Sequence, residues 1–132
     1  MSQFHAFFAY TLVILFVLLV ILEISNLINP KKINNVISTI IIITIPFFVV
    51  FSYFSGTYIS EKVPFTLSAQ WDKIREHQTY AKLLLFLLVP LGTFYFLGKE
   101  NKIVYNIYHI IIILVLATFS YVMYLGTNLF NN

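Results

Sequence analysis

The sequence predicts an all-α integral membrane protein in which four helices form an up-and-down bundle. Sixty per cent of the 132 residues are hydrophobic and only 10% are charged, whereas about a quarter of the residues in soluble domains are charged. Four long apolar stretches follow one another along the chain, separated by polar connections. A helix needs about 20 apolar residues to cross a bilayer, so each stretch is long enough to span one.

Each apolar stretch predicts one transmembrane helix. The first helix is predicted over residues 4–28, where His5 and Glu23 are the only ionisable groups. The other three helices are predicted over residues 33–54, 69–97 and 103–125. Helices are favoured over barrel strands because polarity does not alternate along these stretches, and because a helix satisfies its own backbone groups in lipid. We therefore expect residues 1–132 to form a single transmembrane domain.

The connections predict how the helices are arranged. Residues 29–32 and 98–102 are compact turns that carry lysines, and short connections make neighbouring helices antiparallel. The middle connection, which follows Ser55-Gly56, is longer, and Ser68 has the residue type of a cap for the third helix. Lysines in compact loops favour the cytoplasmic side. Both termini are therefore expected on the opposite side.

The composition excludes several classes of site. No cysteine is present, which rules out disulfides, thiolate zinc sites, cysteine-held iron–sulfur clusters and cysteine nucleophiles. The net charge of +3 comes from thinly spread basic residues, so it indicates membrane orientation and no nucleic-acid partner. The sequence has no Ser-His-Asp order, glycine-rich phosphate loop or His-Glu-x-x-His motif. We therefore do not expect the chain to be an enzyme by itself.

Two histidines at the same predicted membrane level form the first candidate site. His5 lies at the outer end of the first helix, and His77 lies at the outer start of the third. Two imidazoles on different helices of a four-helix bundle can supply both axial ligands of haem b. The sequence thus predicts His5 and His77 as cofactor-binding residues and ligands of a haem iron. The alternative is that both are polar residues near the lipid headgroups.

Three polar residues inside the spans form a second candidate site. Glu23 and His109 are predicted at a similar depth on the first and fourth helices, and Asn106 lies one turn before His109. A carboxylate and an imidazole in contact could relay a proton. The alternative is a structural polar contact that holds the two helices together. Asp72 and Glu76, four residues apart, are interpreted as a solvated charged face rather than a metal site.

Three segments resemble an uncharacterised family of small bacterial membrane proteins with four helices. They are HAFFAYTLVILFVLLVILE at 5–23, REHQTYAKLLLF at 75–86 and YLGTNLF at 124–130. His5 matches the histidine that opens the family's first helix, and Glu23 matches the acid near its inner end. Ala6 stands where the family has a proline, and Tyr10 stands where it has a second histidine.

The rest of the resemblance covers the later helices. His77 matches the family's histidine at the start of helix three, and Leu125-Gly126 matches the glycine-bearing end of helix four. The resemblance implies a bacterial membrane protein with four helices. Together with the compact lysine turns, it leads us to expect the bacterial inner membrane with both termini on the periplasmic side. Its retained histidines suggest a redox cofactor.

Two functions follow from these observations. The first is a small membrane subunit that binds haem b through His5 and His77 and transfers electrons in a respiratory or other redox membrane complex. The second is a non-catalytic accessory or assembly subunit of a larger membrane complex. In either case the expected partners are the lipid bilayer and a larger membrane protein complex or further copies of the chain.

Overall fold

The chain folds into four α-helices. The computed structural model describes residues 2–62 and 68–130, with the helices α1 at Ser2–Ile28, α2 at Lys32–Ser60, α3 at Ser68–Leu97 and α4 at Lys102–Phe130. Within these two ranges there is no strand. The prediction of an all-helical protein with four long helices is confirmed.

All four helices have the length and composition of membrane spans. They contain 27, 29, 30 and 29 residues, which is about 40 to 45 Å of helix at 1.5 Å per residue. Each includes a stretch apolar enough to cross a bilayer. Large apolar side chains are exposed on every helix, among them Ile14, Phe47, Phe86 and Ile113. Because lipid tails are as apolar as such side chains, these features indicate an integral membrane protein.

Two helices extend beyond their predicted ends. α2 continues to Ser60, six residues past its predicted end, and α4 continues to Phe130, five residues past. Ser55-Gly56, predicted as the start of the middle connection, instead lies inside α2. The Ser55 hydroxyl donates a hydrogen bond of 2.9 Å to the Ser52 carbonyl, so this serine bonds back to the helix. A continuous helix also keeps the backbone groups of this segment paired.

The start of α3 lies one residue before its predicted position. The helix begins at Ser68, but the Ser68 side chain, like residues 63–67 of the connection before it, lies outside the described residues. Pro46 and Pro90 lie inside α2 and α3.

The structure consists of two units, and each is described by itself. One unit ends at Ser55 and contains α1 and most of α2; we call it the first hairpin. The other unit begins at Gly56 and contains the last turn of α2 together with α3 and α4. We call the pair α3 and α4 the second hairpin.

Contacts at both ends fix the register of the first hairpin. Near the turn, the Asn26 amide donates to the Asn35 amide oxygen at 3.2 Å. At the far end, the Phe8 ring stacks on Phe51 with centroids 5.6 Å apart. Moving the same number of residues along both antiparallel helices from the Asn26–Asn35 contact gives the residues that face each other, and each facing pair is called a level. Three of these levels are apolar and buried: Leu12 with Val49, Phe16 with Ile45, and Leu19 with Ile42.

A similar register holds the second hairpin. Near its turn, Tyr95 and Tyr108 are both buried, and their rings lie 5.2 Å apart. Equal steps from this pair give the buried levels Leu91 with Ile112, Leu88 with Val115, and Leu84 with Phe119. Asn101 caps α4, because its side-chain oxygen accepts a hydrogen bond of 2.9 Å from the backbone N–H of Ile103.

Candidate functional site

His5 is held by the end of α2 that belongs to the first hairpin. Its Nδ1 lies 2.9 Å from the backbone oxygen of Ser52 and 3.1 Å from the hydroxyl oxygen of Ser55. A carbonyl oxygen only accepts hydrogen bonds, so Nδ1 must donate and must carry the proton. In the neutral imidazole, the lone pair then belongs to Nε2.

The local sequence explains why His5 faces these serines. His5 and Phe8 are three residues apart on α1 and therefore share a face. Phe8 packs against α2 through its contacts with Phe48 and Phe51, so the same face brings His5 to α2 about one turn further along. The position of the histidine is thus set by aromatic packing next to it, and its ring orientation is set by hydrogen bonds.

His77 is held in the second hairpin by a glycine. A side-chain Cβ built on Gly126 would lie 3.2 Å from Cε1 of the His77 imidazole and within 4 Å of both ring nitrogens. The ring therefore occupies the space that a side chain at position 126 would need. The sequence analysis noted Gly126 only as the glycine at the end of helix four. Positions 77 and 126 could not be paired from the sequence, because their pairing depends on the register of α3 against α4.

The residues next to His77 along α3 make polar and aromatic contacts within the second unit. The Tyr121 hydroxyl donates to the Glu76 carboxylate at 2.9 Å, and the Tyr121 ring contacts the Tyr80 ring with centroids 4.6 Å apart. The Gln78 amide donates to the Ser60 hydroxyl at 3.0 Å. Glu76 is exposed, as predicted, but it also has a tyrosine partner that sequence reasoning missed.

Among residues 2–62 and 68–130, Glu23 is the only charged residue whose side chain is buried. Its side chain is only 4% exposed, and that of Asn26, three residues further along α1, is 8% exposed. The Asn26 amide reaches Asn35 of α2, so the face of α1 that carries Glu23 is the face that packs on α2. The sequence singled out Glu23 but not these asparagines.

His109 lies among tyrosines near the turn of the second hairpin. Its ring contacts the Tyr105 ring with centroids 4.4 Å apart and the Tyr108 ring with centroids 5.4 Å apart. Asn106 is exposed. Glu23 and His109 belong to different units, and their predicted contact stays a prediction.

The sequence predicts a haem iron, and the described residues show which metal-binding groups are present. In residues 2–62 and 68–130, no group of three or more His, Asp or Glu side chains is placed to share a metal ion. Haem iron needs only one or two protein ligands, because the porphyrin supplies the other four donors. The Nδ1-protonated form of His5 fits this requirement, because iron binds the unprotonated nitrogen.

No family model, curated protein or solved structure matches the chain in the three comparisons made.

Proposed function

We propose that the chain is a small integral membrane subunit that binds haem b for electron transfer, with His5 and His77 as the axial ligands. The observation that carries the proposal is the hydrogen bond from His5 Nδ1 to the Ser52 carbonyl. Histidines that bind metals almost always donate their other ring N–H to a carbonyl or carboxylate, which fixes both the tautomer and the ring orientation.

In this proposal, different residues of the chain orient one histidine and leave space beside the other. Ser52 and Ser55 orient the His5 imidazole, while Gly126 leaves space beside the His77 imidazole. When bound, haem b would supply a one-electron redox couple. His5 and His77 belong to different units, and the assignment of His77 as the second ligand stays a prediction.

The proposal includes the arrangement in the membrane. The four helices cross a bacterial inner membrane as an up-and-down bundle, with the lysine turns at Lys31 and Lys99 in the cytoplasm and both termini in the periplasm. The compact basic turns support this orientation, and the resemblance to small bacterial four-helix membrane proteins supports a bacterial membrane.

Reporter fusions test the orientation. A reporter fused after Asn132 should be active when it requires the periplasm and inactive when it requires the cytoplasm. A reporter inserted in the turn after Pro30 should give the opposite pattern. Cytoplasmic activity of the fusion after Asn132 would contradict the proposed orientation.

Visible spectroscopy tests the cofactor. The full chain, produced in a host that makes haem and purified in detergent, should show α and Soret bands that sharpen on reduction with dithionite. His5→Ala and His77→Ala should each remove or change these bands, while circular dichroism still reports helix. His109→Ala is the matched control, because its ring packs on Tyr105 and has no part in the proposed ligation. A helical wild-type protein without haem bands would overturn the proposal.

A stripe of exposed phenylalanines favours the accessory subunit as a second candidate function. Phe47, Phe51 and Phe54 are 61%, 54% and 65% exposed, and their spacing puts them on one face of α2. Such a stripe could pack against a larger membrane partner. Replacing all three with leucine keeps the span apolar. Loss of a co-purifying membrane complex from this variant, with no haem in the wild type, would favour the accessory function.

A further inference from the structure

Two levels of the first hairpin next to its turn are polar, whereas the levels beyond them towards the far end are apolar. The Asn26 amide donates to Asn35, and the Asn34 amide donates to the Ser25 hydroxyl at 3.1 Å. These two hydrogen bonds cross from α1 to α2 next to the turn. They define which residues of the two helices face each other at this end.

Glu23 and Ser38 occupy the next level away from the turn. Glu23 lies three residues before Asn26, and Ser38 lies three residues after Asn35. Because residues three apart share a helical face and the two helices are antiparallel, one step from the Asn26–Asn35 contact brings Glu23 opposite Ser38. The next level in the same direction is apolar and consists of Leu19 and Ile42, which are both buried.

The side chains of Glu23, Ser38 and Asn26 are buried, whereas that of Asn35 is exposed. Glu23 is 4%, Asn26 8% and Ser38 1% exposed. Neither the Asn26 side-chain oxygen nor the Ser38 hydroxyl oxygen has a hydrogen-bond partner among the described residues. A buried polar atom without a partner is costly, so these two oxygens point to a ligand that supplies the missing interaction.

We propose that Glu23, Asn26 and Ser38 form a binding site for a sodium ion. A carboxylate, an amide oxygen and a hydroxyl are oxygen donors of the type that hard cations bind. One carboxylate and one monovalent cation neutralise each other, which offsets the cost of a charge in a membrane span. A divalent cation would leave an uncompensated positive charge in the same place.

The ends of the helices also bear on this site. Glu23 lies in the last turns of α1, which ends at Ile28, and the carboxyl end of a helix carries partial negative charge that favours cations. Lys31 and Lys32 of the turn are exposed, so their ammonium groups remain in water. The site is independent of the haem proposal, because it uses none of the residues assigned to haem.

Thermal unfolding in detergent tests the site. The protein is melted in sodium chloride, potassium chloride and choline chloride at equal ionic strength, over a range of concentrations. A ligand that binds only the folded state raises the midpoint as its concentration increases, so sodium should raise the midpoint more than choline does. Glu23→Gln should abolish this difference. Ser38→Ala should move the half-saturating sodium concentration at least tenfold upward.

Thr44→Val is the matched control. Thr44 is also a hydroxyl residue of α2, but its side chain donates to the Ile40 carbonyl of its own helix. It should keep the sodium response of the wild type. Equal midpoints in all three salts would overturn the proposal, as would an unchanged sodium response in Ser38→Ala. If Glu23→Gln does not fold, Ser38→Ala and direct binding of radioactive sodium to the wild type decide the question.

Discussion

Each of the two hairpins places a histidine at the end away from the turn, and the neighbours described around the two rings differ. In the first hairpin, His5 donates a hydrogen bond to Ser52. In the second, the His77 ring lies against Gly126, where an added Cβ would lie 3.2 Å from the ring Cε1. The contacts described at the His5 ring are thus hydrogen bonds, whereas the contact described at the His77 ring is close packing against a glycine.

The opposite ends of the hairpins differ in a related way. The turn end of the first hairpin carries amides and a buried carboxylate, represented by Asn26 and Glu23. The turn end of the second carries stacked aromatic rings, and the Lys99 ammonium lies 5.2 Å from the centre of the Tyr95 ring. The first hairpin thus contains buried groups suited to an ion, whereas the second is held by apolar and aromatic packing.

The largest expected effect of a single substitution is at the turn of the second hairpin. A Cβ at Gly98 would lie 2.8 Å from the Phe94 carbonyl oxygen and 2.9 Å from the Cα of Tyr105, and backbone atoms cannot rotate away. We expect Gly98→Ala to destabilise the protein by about 1 to 3 kcal/mol, as other overpacked sites do. The measurement is the free energy of unfolding in mixed detergent.

Gly92→Ala serves as the comparison. Nothing lies within 4 Å of a Cβ at Gly92, and alanine is favoured over glycine inside a helix by about 0.5 to 1 kcal/mol. This variant should therefore be as stable as the wild type or more so. Equal stability of Gly98→Ala and Gly92→Ala would show that the turn is less tightly packed than described.

The second largest expected effect is the loss of stability in Ser55→Ala, a substitution next to His5. Ser55 is 5% exposed, and its hydroxyl lies 3.1 Å from His5 Nδ1. Ser55→Ala removes this contact but keeps the Ser52 carbonyl. Hydrogen bonds between membrane helices contribute about 0.6 kcal/mol on average and up to about 1.7, so we expect a loss in that range. Thr11→Val, which removes a hydroxyl bonded within α1, is the control and should cost less.

The sequence predicted the four helices because their signal is local. Length and apolar composition identify each span without any knowledge of its neighbours, and the compact turns predicted at residues 29–32 and 98–102 follow from their polar residues together with Pro30 and Gly98. The extension of α2 to Ser60 was missed, because Ser55-Gly56 is typical of a turn in water. In lipid the demand for paired backbone groups favours a continuous helix.

The candidate sites were less predictable because they depend on register. The sequence identified His5, His77 and Glu23 as ionisable groups within or next to the spans. It did not identify Ser52 or Gly126, because a serine or a glycine in a span has no distinctive pattern. Their importance appears only when the two helices of a hairpin are aligned.

The smallest expected effect is at Tyr121. Its hydroxyl donates to Glu76 at 2.9 Å, but both side chains are exposed, so water or headgroups can replace the hydrogen bond. Tyr121→Phe keeps the ring that contacts Tyr80 and removes only the hydroxyl. We expect the thermal midpoint of Tyr121→Phe to stay closer to the wild type than that of Ser55→Ala, when both are measured in the same detergent. A larger drop for Tyr121→Phe would reverse the comparison, because it would show that the polar contact of the second hairpin contributes more than the buried one that orients His5.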